Sequence, residues 1–151
     1  MVPIKETVSS NAWFDCRSEK NEVRFKMRVL LFEKVNLAEV DDPHEVKIDS
    51  SSGNYWILKI EIVSLTKRTI SSGYVTRTIT LVDQDEFHFN DVDDNHLCCF
   101  SDYATTSGLK RLYGVDLIPK IKVVGAIIFF LPDDDEAEYS LTIDKGNIEE
   151  A

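Results

Sequence analysis

No stretch of this chain is apolar for the length a bilayer crossing requires, and its first residues, MVPIKETVSS, lack the apolar core of a signal peptide. A leader and a membrane span are thereby set aside, and a soluble intracellular protein with no membrane partner is expected. Cysteine is scarce and odd in number: of three, Cys98 and Cys99 are adjacent, and neighbouring residues cannot easily close an unstrained disulfide. A reducing compartment follows from that count. Cations are in deficit, with 17 Lys and Arg against 27 Asp and Glu, for a net charge of -10. Non-specific polyanion binding rests on many cations neutralising phosphates, so any nucleic-acid contact has to be local. Internal repeats, low-complexity tracts and coiled-coil heptads are missing as well.

Catalytic signatures are also wanting. The chain has no nucleophile-elbow glycine pattern and no glycine-rich phosphate loop, so no enzyme activity, catalytic residue or cofactor is assigned. The acidic cluster Asp83, Asp85, Glu86, Asp91, Asp93, Asp94 with His96 offers the oxygen ligands calcium prefers. Counted from Asp91, however, the EF-hand glycine position is His96 and the twelfth position is Asp102. His88, His96, Cys98 and Cys99 are zinc-type donors without the usual paired spacing, and adjacent cysteines in a strand point to opposite faces. No metal site is assigned; solvated acidic turns account for these residues.

What the sequence does have is strand periodicity. Its 151 residues suffice for one domain with a proper core. Val23, Phe25, Met27, Val29 and Leu31 alternate with Arg24, Lys26 and Arg28, the period of a half-buried strand. Turn residues fill 41–53. In 55–65, Trp56, Leu58, Ile60 and Ile62 share one face, while Tyr55 and Ile57 add apolar surface to the other, which predicts a central strand. β-Branched residues over 74–82 predict a second strand, and 86–90 with 95–100 a third strand interrupted by a loop. Residues 104–112 lack alternation and predict a short helix; 120–131 is the longest apolar run, and 139–143 a final strand. The order of these elements is the plan of an all-β, five-stranded OB barrel with a short helix between strands three and four. The expected boundaries are an N-terminal arm with one extra strand over 1–53, the OB domain over 54–143 and a flexible tail over 144–151.

Several segments then carry a resemblance. Val63-Ser64-Leu65-Thr66-Lys67-Arg68-Thr69-Ile70-Ser71-Ser72-Gly73 leads into Thr78-Ile79-Thr80-Leu81-Val82-Asp83-Gln84, followed by Leu97-Cys98-Cys99-Phe100-Ser101. Leu117-Ile118-Pro119 and Val124-Gly125-Ala126-Ile127-Ile128 come next. In this order and spacing they resemble the protection-of-telomeres, or telomere end-binding, family over about half of the chain. The resemblance implies a nuclear protein of chromosome ends that binds single-stranded DNA and joins the protein partners of a telomere or genome-maintenance complex. It implies Phe100 as a base-stacking platform, Lys67, Arg68 and Arg77 as phosphate or base-edge contacts, and Tyr74 as a second stacking ring. The chain departs from the family in the loop, where Ser64, Leu65 and Thr66 replace an aromatic pair and lysine. It departs again after the Gly-Asp-Ile element, where Phe129-Phe130-Leu131-Pro132-Asp133-Asp134 replaces a basic strand.

The alternative of a different class is a protein-interaction module, either an OB fold or a TRAF-like β-sandwich. The sandwich rests on Phe100 and Tyr103 within Cys98-Cys99-Phe100-Ser101-Asp102-Tyr103, although the Trp and Gly of the usual pattern are absent. Architecture separates the two folds, since one requires a closed barrel and the other two stacked antiparallel sheets.

Overall fold

The computed structural model describes residues 2–34, 53–91, 112 and 114–144. In chain order the elements are β1 (Val2–Pro3), α1 (Ile4–Ser10), β2 (Phe14–Arg17), β3 (Val23–Lys34), β4 (Gly53–Ser64) and β5 (Ile70–Ser71). There follow α2 (Gly73–Thr76), β6 (Ile79–Val82), β7 (His88–Phe89), β8 (Asp116–Leu117), β9 (Lys122–Pro132) and β10 (Ser140–Ile143). One antiparallel sheet has the order β2-β3-β4-β9, a second has the order β1-β10-β6-β7, and β5 pairs with β8.

The all-β class read from the periodicity is what the protein has. The described strands nevertheless form two four-stranded sheets and a short ribbon, and they do not close into the expected five-stranded OB barrel. β3, which the expected plan left in an arm, belongs to the larger sheet. It pairs with β4 from Phe25↔Ser64 to Lys34↔Trp56, so it is an interior strand of the larger sheet. Residues 2–34, expected as an arm with one extra strand, supply β1, α1, β2 and β3, and Ile4, Cys16, Phe25, Met27 and Val29 enter the common core. The helix expected over 104–112 falls outside the described residues except for Leu112, as do 95–100 of the interrupted third strand and the tail from 145.

One core serves both sheets. Phe25, Met27 and Val29 of β3, Leu58, Ile60 and Ile62 of β4, and Ile127, Phe129 and Leu131 of β9 meet Ile79 and Leu81 of β6 and Leu141 of β10. Alternation places these residues on one side of each strand. The pattern in β3 breaks where the register shifts between Val29 and Leu31. An extra residue there turns the side chains over, so Phe32 and not Leu31 continues the core-facing row. Phe32 stacks on Trp56 with ring centroids 4.8 Å apart and meets Tyr139 edge-on at 6.1 Å, which ties the two sheets at that end.

The strand expected over 74–82 is shorter than its β-branched composition suggests. Gly73–Thr76 forms one helical turn, with the Thr76 and Arg77 amides donating to the Ser72 and Gly73 carbonyls at 3.1 Å, and only Ile79–Val82 is extended. Thr78 Oγ1 donates to the Val75 carbonyl at 2.7 Å, so its hydroxyl supports the turn.

At Gly125 the backbones come so close that a Cβ would stand 2.7 Å from Leu112 Cβ; the Leu112 amide donates to the Ala126 carbonyl at 2.8 Å beside it. Gly125→Ala is expected to lower stability by roughly 1–3 kcal/mol through overpacking. The penalty should shrink in a Leu112→Gly background, which removes the Leu112 Cβ at 2.7 Å. Denaturant midpoints of the two single variants and the double variant test this, and equal penalties in both backgrounds would refute the contact.

Candidate functional site

Of the residues assigned to DNA by the resemblance, Phe100 lies outside the described residues. Lys67 and Arg68 are exposed in the loop between β4 and β5. That loop is built on a buried hydroxyl pair: Ser64 Oγ and Thr66 Oγ1 are 2.7 Å apart, and Thr66 Oγ1 donates to the Arg68 carbonyl at 2.8 Å. Thr66 thus turns inward and the next two side chains outward. Tyr74 is half-buried against the core, and Arg77 lies over its ring at 4.9 Å while its Nε donates to the Gly73 carbonyl at 3.3 Å. The Tyr74 ring therefore already holds a cation, a geometry unlike an open stacking platform.

Strand register assembles a larger group of cations. β4 runs antiparallel to both β3 and β9, so the ends carrying Val63, Lys26 and Lys122 coincide, with Lys26↔Val63 and Val63↔Lys122 as partners. The Leu65 amide donates to the Arg24 carbonyl at 2.8 Å and the Lys120 amide to the Ser64 carbonyl at 2.8 Å. Arg24, Lys26, Arg28, Lys67, Arg68, Lys120 and Lys122 therefore gather at one end of the larger sheet. Arg24 is offset by Glu22 at 3.7 Å and Arg28 by Glu61 at 3.3 Å. Among the described residues, no ion pair engages Lys26, Lys67, Arg68, Lys120 or Lys122.

Trp13 belongs to this end. It precedes β2 and is 38 % exposed, with the Arg28 guanidinium 5.1 Å and the Lys122 ammonium 5.6 Å from its ring centroid. Close by, Ile118 and Ile121 are exposed on the turn that leads into β9, and Val124 is exposed two residues after Lys122. Sequence reasoning did not single out Trp13 or Ile121, and it named Ile118 only within the Leu117-Ile118-Pro119 segment of the resemblance. The Arg24-Lys26-Arg28 alternation was visible, but it read as the solvated side of an ordinary strand until the register brought Lys122 and Trp13 to it.

Asp15, Glu22 and Glu61 lie among these cations, Asp15 opposite Lys26 in register, and a further group of acids collects at the other end. Gly53 pairs with Pro132, so the loop after β9, with Asp133, Asp134, Asp135, Glu136 and Glu138, lies at the far end of β4. The Glu138 amide donates to Gln84 Oε1 at 2.9 Å, which brings in Asp83, Asp85 and Glu86. Burial first, then the Asp83 and Asp134 carboxylates, push the Tyr139 phenol above its ordinary range. Asp83 Oδ1 itself accepts from the Asp85 and Phe87 amides at 2.9 and 3.0 Å, the work of a turn-forming aspartate. Among the described residues no cluster of His, Cys, Asp and Glu is arranged to hold a metal ion, and Asp93, Asp94, His96, Cys98 and Cys99 lie outside them. Likewise, no described helix is long and apolar enough to cross a membrane.

Cys16 is buried between the sheets, and burial, helped by Asp15, pushes its thiol from 9.0 up to about 12. Above pH 9.0 the unfolded chain releases this proton while the folded chain keeps it, so this group lowers stability progressively as pH rises from 9.0 to about 12. Alkylation mapped by mass spectrometry is expected to reach Cys16 only as fast as the protein unfolds. Labelling of the native protein at the rate of a free thiol would contradict this burial.

No family model matches the chain, and no curated protein matches it. Among solved structures, a conserved hypothetical protein from Bacillus anthracis is similar at 11 % identity with a TM-score of 0.53, over 87 % of this chain and 90 % of that one. A "putative lipoprotein" of Bacillus subtilis is similar at 13 % identity with a TM-score of 0.45, over 89 % of this chain and 40 % of that one. At such identities the likeness to the Bacillus anthracis protein is one of fold.

Proposed function

We propose that this protein is a non-catalytic recognition module of the two-sheet class that captures an anionic partner through its cationic end. The observation that carries the reading is the gathering of seven cations at one end of the larger sheet by the antiparallel register of β3, β4 and β9, with Arg28 and Lys122 over the Trp13 ring. A chain of net charge -10 can bind an anion only where its cations are concentrated. The acidic loops stand at the opposite end of a strand of 12 residues, which spans about 36 Å. That distance exceeds the screening length of about 8 Å at physiological ionic strength several-fold, so they do not cancel the local potential.

A second reading keeps single-stranded DNA as the anion, with the nuclear, chromosome-end setting and protein partners that the telomere-family resemblance implies. Exposure of both Lys67 and Arg68 at the end that carries Trp13 favours it. Both readings expect electrostatic binding, and they differ in whether an oligonucleotide suffices.

Single-stranded oligonucleotides, telomeric repeats included, and a polyglutamate peptide titrated at low and physiological salt test the general reading. At least one anion is expected to bind at low salt, and Lys67→Glu with Arg68→Glu should weaken it about tenfold or more. If DNA is the ligand, the log-log salt slope should fall by about 0.7 for each phosphate contact removed. Unchanged binding in that double variant would remove the loop from the site.

A further inference from the structure

The cationic end carries a feature that anion capture alone does not require. Ile118 and Ile121 are 52 % and 54 % exposed on a tight turn whose Ile121 amide donates to the Ile118 carbonyl at 3.1 Å. Pro119 and Lys120 are its central residues, and Lys120 has a φ of +66°, the left-handed region that strains a residue bearing a Cβ. Its amide is fixed to Ser64, so the turn is held out from the end of β4 as a rigid tip. At that tip two large aliphatic side chains face water while lysines lie between and beside them.

We infer that this tip docks on an anionic phospholipid surface, with Ile118 and Ile121 entering the acyl boundary and Lys120, Lys122, Lys67 and Arg68 meeting the phosphates. This deepens the anion-capture reading and rests on it. It replaces the expectation of no membrane partner with a peripheral contact. The chemistry favours lipid over the other anions. A single-stranded nucleic acid stacks on open aromatic faces, yet the Trp13 ring already holds two cations and the exposed side chains of the tip are aliphatic. Lysine is depleted from protein interface cores, whereas at a bilayer surface its long stem lies along apolar groups and its ammonium reaches the headgroups. Tryptophan is at home at that same depth, and Trp13 stands beside Lys122. The acidic loops, about 36 Å away along β4, point the molecule's negative charge away from the surface.

Vesicle sedimentation with the full chain tests this, using phosphatidylcholine alone and phosphatidylcholine mixed with phosphatidylserine. Binding is expected only to the mixed vesicles, weakening as salt is raised. Ile118→Asp with Ile121→Asp, both exposed and so not expected to disturb folding, should reduce partition about tenfold or more, as should Lys120→Glu with Lys122→Glu. Melting curves confirm that each variant is folded, and Trp13 emission in a Trp56→Phe chain should shift to the blue on mixed vesicles. Equal binding to both vesicle types, or undiminished binding by the folded isoleucine variant, overturns the membrane inference. Absence of vesicle binding alongside salt-sensitive capture of an oligonucleotide or polyglutamate overturns it while leaving the anion-capture reading in place. Failure with every anion at low salt overturns both.

Discussion

Burial of β4 on both of its faces is the constraint on which the rest of the molecule depends. Leu58, Ile60 and Ile62 point to one side and Tyr55 and Ile57 to the other, and all are essentially inaccessible to water. Such a strand has to be interior, with a neighbour along each edge. Each of these side chains contributes roughly 1.5–3 kcal/mol through burial, and a slip of one residue would reverse both rows. The registers with β3 and β9 are therefore fixed by the core. Fixed with them are the ends at which Arg24, Lys26, Lys120 and Lys122 meet, and those at which the acids meet. The charge asymmetry of the surface is in this sense a product of the interior.

That asymmetry is not what stability alone would select. Arg28 and Arg24 are matched by Glu61 and Glu22 and Lys26 faces Asp15 in register, but no ion pair engages Lys67, Arg68, Lys120 or Lys122 among the described residues. Like charges at short range repel, and the left-handed backbone at Lys120 adds strain on the order of 1–2 kcal/mol. A glycine or asparagine would relieve the second cost and a carboxylate the first. Left-handed backbone occurs at Glu86 of the acidic turn as well, so what distinguishes this end is its group of cations without ion pairs among the described residues.

The sequence made the long strands legible because their periodicity is local. Val23 to Val29, 55–64, 122–131 and 140–143 all appear where alternation or apolar length indicated. Two kinds of information were not local. The bulge between Val29 and Leu31 changes which residue faces inward, and no composition marks it; Leu31 belongs to the alternating row in the sequence, whereas Phe32 belongs to the core. The β-branched run at Tyr74 to Thr76 gave way to a helical turn because the chain must change direction between β5 and β6. There, carbonyls at Ser72, Gly73 and Val75 found donors that an extended strand would have placed elsewhere.

The candidate site was harder to read for a related reason. Lys67 and Arg68 are neighbours in sequence and both project from a loop, so a motif could point to them. Trp13, Arg28 and Lys122 come from three separate parts of the chain and meet only after β2, β3, β4 and β9 have paired. The same argument bears on the difference between a barrel and two sheets. Each matched segment describes a strand, a turn or a strand end, and such pieces suit either architecture. The deciding observation is that β2-β3-β4-β9 and β1-β10-β6-β7 are separate ladders with no pairing between them among the described residues, which leaves no local signature. A resemblance carried by short segments in order can therefore survive a change of closure, while the groove that closure would have formed cannot. What the sheet register builds instead is the concentration of cations at one end of the larger sheet.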